Sequence, residues 1–143
     1  MKILVLALGA LIAVACGGDA TVPPTAHAVD FTMLAQNGST VAGTGTVVKG
    51  ADSFTVTIKL AGLAPNSSHV SHLHAGSCAA PGGIAFALHQ VVADATGAAT
   101  IASTIPTSYV VPASGWYVNV HHGPDFSAPA NAPSDSCGDL RAA

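Results

Sequence analysis

The sequence predicts an all-β domain, and three observations support this fold class. Residues that favour strands and turns dominate, with 15 Val, 12 Thr, 15 Gly and 9 Pro among 143 residues. All seven acidic residues are Asp, so strong helix formers other than Ala and Leu are scarce. Residues 54–60 alternate between apolar and polar side chains, which is the period of a half-buried strand. The length fits one domain of ordinary size.

Strand-like runs follow one another from residue 28 to residue 140. Tight-turn signals lie at residues 36–39, 50–52 and 94–97, and loops are predicted at 64–68, 75–83, 106–115 and 123–134. The predicted strands are 28–34, 41–49, 54–60, 69–74, 84–92, 98–105, 116–121 and 137–140. About eight strands at this spacing predict a β-sandwich or barrel.

Charge is sparse along the chain. Only 8% of the residues are charged, and the net charge is −3. A composition this apolar excludes a disordered acidic or basic chain. The sequence has no basic stripe, which argues against nucleic acid as a partner.

The amino terminus resembles an export signal. Residues 1–15 combine Lys2 with an apolar run of thirteen residues, which is shorter than the roughly 20 residues that span a bilayer. Residues 13–16 resemble a bacterial lipobox, although Ala13 stands where Leu is usual, so Cys16 would carry the lipid anchor. Residues 16–27 would then form a flexible tether. The alternative is a secretory peptide cut near Ala15 or Ala20. We expect a cell-envelope lipoprotein, periplasmic or on the outer surface, or a secreted protein if the lipobox is not used.

The three cysteines agree with export. If Cys16 is lipidated, Cys78 and Cys137 remain, and an oxidising compartment favours a disulfide between them. Closing so long a loop would restrict the unfolded chain by roughly 4 kcal/mol. Two buried thiols are the alternative.

Seven histidines are an excess in a chain with so few charges. His72 and His74 lie two apart in a predicted strand and therefore project from the same face. A His-x-His pair on a strand supplies two nitrogen ligands to copper or zinc. His121 ends another predicted strand and could complete a three-histidine site. Solvated or core histidines are the alternative.

Other residues near these motifs are predicted to be structural. Asp125 and Asp135 lie in Pro-rich segments and are predicted to form turns, and Asp139 is predicted to lie at a strand end. Trp116 and Tyr117 are predicted to pack inside the sandwich.

Three separated segments resemble known families. Residues 62–78, GLAPNSSHVSHLHAGSC, resemble the Cu,Zn superoxide dismutase segment G-L-x-P-G-x-H-G-F-H-x-H-x-x-G-x-C. Residues 116–121 resemble the late strand of that family, which ends in a copper-binding His, and residues 136–140 resemble its closing segment. The form Y-x-N-V-H-x-G-P with C-G-D-L is still more similar to bacterial chordin-type (CHRD) domains. The resemblance implies a Greek-key β-sandwich or flattened barrel, superoxide dismutase-like, over residues 28–141.

The resemblance also implies roles for individual residues. His72, His74 and His121 fall on three of the four copper ligands of the dismutase family. His69 falls on a histidine that braces the copper site through a hydrogen bond, which fits a general need for oriented ligands. Cys78 and Cys137 fall on the family disulfide.

The sequence departs from the dismutase pattern in three places. Only fourteen residues separate His74 from His89, and they contain no His or Asp, so a zinc site is not expected. The bridging histidine, which is the fourth copper ligand, has no clear match, and His89 and His122 are the candidates. Ser134 stands where the family has an Arg that guides superoxide, and Arg141 is not expected to replace it. The net charge becomes −4 once Lys2 leaves with the signal, so no overall field attracts an anion.

Three functions from different classes remain open at this point. The first is an exported domain that stores, carries or buffers one copper ion. The second is a copper-only superoxide dismutase of low activity, since copper can cycle between two oxidation states. The third is a metal-free structural or adhesive domain of the chordin type. The expected partners are a copper ion, superoxide for the second function, and a membrane through the lipid anchor only.

Overall fold

The structure is a computed structural model that describes residues 28–142. These residues form ten strands and one short 3-10 turn (Pro129–Asn131), with no α-helix among them. The strands are β1 (Ala28–Ala35), β2 (Ala42–Lys49), β3 (Phe54–Ala61), β4 (Ser68–His69), β5 (Ser71–Gly76), β6 (Pro81–Ala87), β7 (Val91–Val92), β8 (Ala99–Ile105), β9 (Trp116–His121) and β10 (Ser134–Leu140). The predicted all-β fold class is confirmed.

The amino-terminal predictions fall on residues outside this range. The signal peptide, the lipidated Cys16 and the tether all lie within residues 1–27, which the structure does not describe. No helix within residues 28–142 is long and apolar enough to cross a membrane.

Eight strands form one antiparallel sheet in the order β6-β5-β9-β10-β1-β2-β3-β8. The short strands β4 and β7 pair separately. The chain passes from β3 to β5 and from β8 to β9 between the two halves of the sheet, so strands distant in sequence become neighbours. This order brings β5 beside β9, and the predicted metal ligands lie on these two strands.

The sheet curls until its two halves face each other across the core. Phe54 on β3 stacks on Trp116 of β9 with ring centroids 5.7 Å apart, and it meets Phe86 of β6 edge to face at 6.4 Å. The alternation predicted for residues 54–60 is confirmed, because Phe54, Val56, Ile58 and Leu60 are all buried. Burial of such apolar side chains is the main stabilising contribution in a domain of this kind.

Two predicted strands are each divided in the structure. The segment 69–74 separates into β4 and β5 at Val70, whose N–H donates to the Gly123 carbonyl at 2.9 Å. The Val70 carbonyl accepts from the His121 N–H at 2.9 Å. The segment 84–92 divides into β6, which begins earlier at Pro81, and β7. Both segments break where the pairing partner changes, since β4 pairs with β7 whereas β5 pairs with β6 and β9. Local sequence does not encode such a change of partner.

The last strand begins earlier than predicted. β10 starts at Ser134 because it pairs with the end of β9, with Ser134 opposite His121. The predicted turn role of Asp135 is therefore wrong, since this residue is buried within β10. Asp139 also lies within this strand, and it is exposed.

A disulfide joins Cys78, in the loop between β5 and β6, to Cys137 in β10. Their Cα atoms are 5.9 Å apart. The Cys78 N–H also donates to Asp139 Oδ1 at 2.7 Å. Both contacts attach the loop that follows the His-x-His pair to the centre of the sheet.

We expect Phe54→Ala to lower the free energy of unfolding by about 3–5 kcal/mol, because it removes the ring on which both halves of the sheet pack. The control is Val48→Ala at an exposed strand position, which should change stability by less than about 0.5 kcal/mol. Urea unfolding of both variants measures the difference. Equal losses in the two variants would contradict the described core.

We expect Cys78→Ser/Cys137→Ser to lower the free energy of unfolding by about 2–5 kcal/mol. The variant should also become insensitive to reductant, whereas the wild-type protein loses a similar amount when reduced. Cys16→Ser is the control, because it removes a cysteine outside the pair. Thermal unfolding with and without reductant measures this, and a wild-type protein unaffected by reduction would exclude the disulfide.

Candidate metal centre

Three histidines share one face of two neighbouring strands. His72 and His74 lie two apart on β5, and His121 ends β9, which runs antiparallel to β5. Leu73 and Val118 are paired between them and are fully buried in the core. Because successive side chains of a strand point to opposite faces, the histidines lie on the face away from that core. The predicted convergence of the three is therefore present.

The three imidazoles are close to one another and buried. Their candidate ligand atoms all lie within 4.8 Å of one another. The ring centroids are 5.4 Å apart for His72 and His121, and 5.7 Å apart for His72 and His74. The exposed fractions are only 8%, 8% and 7% for His72, His74 and His121. Two metal–nitrogen bonds span about 4 Å, so small side-chain rotations would bring all three nitrogens to one ion.

Backbone carbonyls fix which nitrogen carries the proton in two of the rings. His74 Nδ1 donates to the Gly82 carbonyl at 3.0 Å, and His121 Nδ1 donates to the Ala132 carbonyl at 2.7 Å. A carbonyl only accepts, so Nε2 of each ring keeps its lone pair. Metal-binding histidines are typically oriented in this way.

The remaining nitrogens converge without good partners. Among residues 28–142, the only buried side-chain nitrogen or oxygen atoms that lack a hydrogen bond are His72 Nδ1 and His74 Nε2. His121 Nε2 accepts one bond, from the Asn119 amide at 3.2 Å. Asn119 is in turn held by the Ser134 hydroxyl. Unpaired buried acceptors are unfavourable, and one ion bound by three imidazole nitrogens would satisfy them. The residues present therefore fit a metal ion.

Burial favours the neutral form of two of these imidazoles, His72 and His121. Desolvation, followed by charge repulsion from His121 and His74, lowers the pKa of His72 from 6.5 to about 4. Desolvation also lowers the pKa of His121, although its hydrogen bond to Ala132 opposes this. A metal ion binds only the unprotonated ring, so the group is ready to bind at neutral pH.

His69 contacts the site through the backbone. Its Nδ1 donates to the His121 carbonyl at 2.9 Å, and its Nε2 lies 2.7 Å from the Ser67 hydroxyl. The Asp135 carboxylate lies 3.7 Å from His69 Nδ1. His69 is buried and lies on β4, so it does not belong to the three-histidine group. Its contact is with the strand end that carries a ligand.

The structure places His89 and His122 outside the group. His122 follows His121 directly and so points away from it. Its side chain is 62% exposed, and its Nδ1 lies 3.0 Å from Asp135 Oδ1. His89 is exposed in the segment after β6, where its backbone N–H donates to the Ser103 hydroxyl oxygen at 2.7 Å. The two candidates for a fourth ligand are thus not brought to the other three.

Two aromatic rings at the site were not predicted there. Phe126, from the loop after β9, stacks on His72 with centroids 5.6 Å apart and meets His121 edge to face at 4.8 Å. Tyr117 is buried as expected, but on the histidine face, where it stacks on His74 at 4.9 Å. Alternation along β9 places Tyr117 on the same face as His121. No local pattern indicates the position of Phe126.

Comparison with known proteins adds no relative to this picture. No protein-family model matches the sequence, and no curated protein matches it. The support for a metal site comes from the positions of His72, His74 and His121 themselves.

We expect the metal-free protein to lose stability as the pH falls from about 6.5 to about 4. His72 has a folded-state pKa of about 4 against 6.5 when unfolded, so the unfolded chain binds the proton first. This linkage amounts to about 3 kcal/mol by pH 4. His72→Gln should remove that part of the acid sensitivity, whereas His89→Gln, at an exposed position, should retain it. Urea unfolding with chelator present measures this, and parallel pH profiles for wild type and His72→Gln would contradict the assignment.

Proposed function

We propose that this chain is an exported copper-binding protein whose domain holds one copper ion through His72, His74 and His121. One observation carries the proposal: candidate ligand atoms of three buried imidazoles lie within 4.8 Å of one another, and two buried nitrogens of these rings, His72 Nδ1 and His74 Nε2, lack hydrogen-bond partners. A structural domain gains nothing from leaving two of those nitrogens without partners. The resemblance to Cu,Zn superoxide dismutase implies copper ligation by the same three residues.

The donor set favours copper among the common ions. Imidazole suits copper, zinc, iron and nickel, and among divalent first-row ions Cu(II) binds such ligands most tightly. No carboxylate or thiolate belongs to the group, within the described residues. Calcium and magnesium, which prefer oxygen ligands, are therefore poor candidates.

The chain's own residues would hold and orient the ion. His72 offers Nδ1, while His74 and His121 offer Nε2, with the Gly82 and Ala132 carbonyls fixing their ring orientation. His69 would position His121 through the carbonyl of that residue. Copper, when bound, supplies one-electron chemistry between Cu(II) and Cu(I).

Export is the cellular setting we propose for this site. Residues 1–15 have the layout of a signal peptide, and Cys16 is the proposed lipidation point. The Cys78–Cys137 disulfide supports an oxidising compartment. The domain would then work at the cell envelope, attached by a lipid and a tether, or in the medium if the lipobox is not used.

Superoxide dismutation is the second candidate, favoured by the match of the three histidines to dismutase copper ligands. Two features argue for a low rate. Ser134 stands where the family has its guiding Arg, and its hydroxyl is engaged with Asn119. The mature chain would also carry a net charge of −4, which does not attract an anion.

Copper titration followed by electron paramagnetic resonance tests the proposal. We expect one tight Cu(II) equivalent with nitrogen hyperfine structure in the wild-type protein, and its loss in His72→Ala/His121→Ala. The matched control is His89→Ala/His122→Ala, which removes two histidines outside the group and should keep the signal. No tight copper in the wild type, or equal binding in both double variants, would overturn the site and leave the metal-free structural or adhesive reading.

A superoxide assay on the copper-loaded protein then separates the two copper functions. A rate that persists when a chelator suppresses free copper, and that is lost in His72→Ala/His121→Ala, would establish dismutation. Tight copper with no such rate would assign the protein to copper storage, transfer or buffering.

A further inference from the structure

One aromatic ring covers the histidine group. Phe126 lies parallel to His72, with an angle of 14° between the ring planes, and nearly perpendicular to His121 at 83°. The ring is itself 48% exposed, so one side faces solvent and the other faces the imidazoles. Its ring contacts two of the three candidate ligands, His72 and His121. His72 Nδ1 is buried from solvent although His72 lies on the outer face of the sheet.

The loop that carries Phe126 is held in place on both sides of the ring. Asp125 Oδ1 accepts from the Ser127 N–H at 2.8 Å and from the Ser127 hydroxyl at 2.6 Å. The Asn131 amide donates to the same oxygen at 3.2 Å. Gly123 leaves the space that Asn131 occupies, since a Cβ there would lie 2.1 Å from Asn131 Cγ. The predicted turn role of Asp125 is thus observed, and the turn fixes the residue between Asp125 and Ser127.

The same loop also orients a ligand. Ala132, near its end, supplies the carbonyl that accepts from His121 Nδ1. The Pro124 carbonyl accepts from the Gln90 amide at 2.8 Å, which attaches the loop to the segment before β7. The cover over the histidines and the orientation of His121 therefore belong to one bonded loop.

We infer that Phe126 is a lid that restricts the access of a fourth ligand to the three-histidine site and so raises its affinity for Cu(I) relative to Cu(II). This inference rests on the proposed copper function and names the oxidation state that the site prefers. Cu(I) is stable with three nitrogen ligands, whereas Zn(II) and Cu(II) take four or more. Because the lid is apolar, it offers no ligand atom and excludes water and small anions from the face that it covers. An ion that needs a fourth ligand is disfavoured as a result.

Azide binding to the Cu(II)-loaded protein tests the lid directly, since azide requires an open coordination position. We expect Phe126→Ala to bind azide about tenfold more tightly than wild type, read by the change in the electron paramagnetic resonance spectrum. Phe126→Leu keeps apolar bulk and should stay close to wild type. Val110→Ala truncates an exposed apolar side chain elsewhere and should have no effect.

Competition with Cu(I)- and Cu(II)-selective chelators under anaerobic conditions gives the second readout. The ratio of Cu(I) to Cu(II) affinity should fall about tenfold in Phe126→Ala, which corresponds to about 59 mV in the reduction potential. Azide affinity and affinity ratio both equal to wild type would overturn the lid. Absence of tight copper in the wild type would instead overturn the copper function.

A metal-free measurement keeps the lid testable without copper. Diethyl pyrocarbonate modifies accessible imidazoles, and peptide mass spectrometry locates the modified residue. We expect His72 and His121 to react faster in Phe126→Ala than in wild type, while His89, exposed in both proteins, reacts at the same rate. Unchanged rates at His72 and His121 would show that the ring does not cover them, and would overturn the lid even if copper binds.

Discussion

The pairing of β5 with β9 determines the position of every ligand in the histidine group. In this register His72 lies opposite Asn119 and His74 lies opposite Tyr117, so the core side chains fall on the other face. A slip of β5 by one residue would turn His72 and His74 into the core and expose Leu73, which is fully buried here. Hydrophobic burial therefore fixes the register, and the register in turn brings His121 to the His-x-His pair. The packing that folds the sheet is therefore also what assembles the candidate metal centre.

The strands position the imidazoles, whereas the loops orient them. The strands bring three imidazoles together, but a strand cannot decide which nitrogen of a ring is protonated. The Gly82 carbonyl, at the start of β6, and the Ala132 carbonyl, in the loop before β10, make that choice for His74 and His121. The disulfide at Cys78 restrains the first of these segments, and hydrogen bonds around Asp125 restrain the second. Orientation of the ligands thus depends on covalent and polar contacts outside the sheet.

The features of this arrangement that have local sequence patterns can be predicted from the sequence. Alternation in residues 54–60 predicts a half-buried strand, the spacing of His72 and His74 predicts a shared face, and cysteine counting predicts the disulfide. The break at Val70 was missed because its hydrogen bonds go to Gly123 and His121, far along the chain. The burial of Asp135 was missed for the same reason, since β10 extends only as far as its pairing with β9 allows. Contacts that depend on the folded sheet leave no periodic trace in a single sequence.

On the proposed copper function, Phe126 is a position where selectivity could change without a change of fold. The candidate ligands on β5 and β9 are held in place by the strand register, which core packing on the opposite face fixes. A loop residue carries no such constraint, because its side chain is partly exposed and its neighbours bond mainly to one another. The sheet therefore positions the three imidazoles, while the loop would control which other ligands reach them. The side chain between Asp125 and Ser127 would therefore decide whether the three-histidine group is open or closed to further ligands.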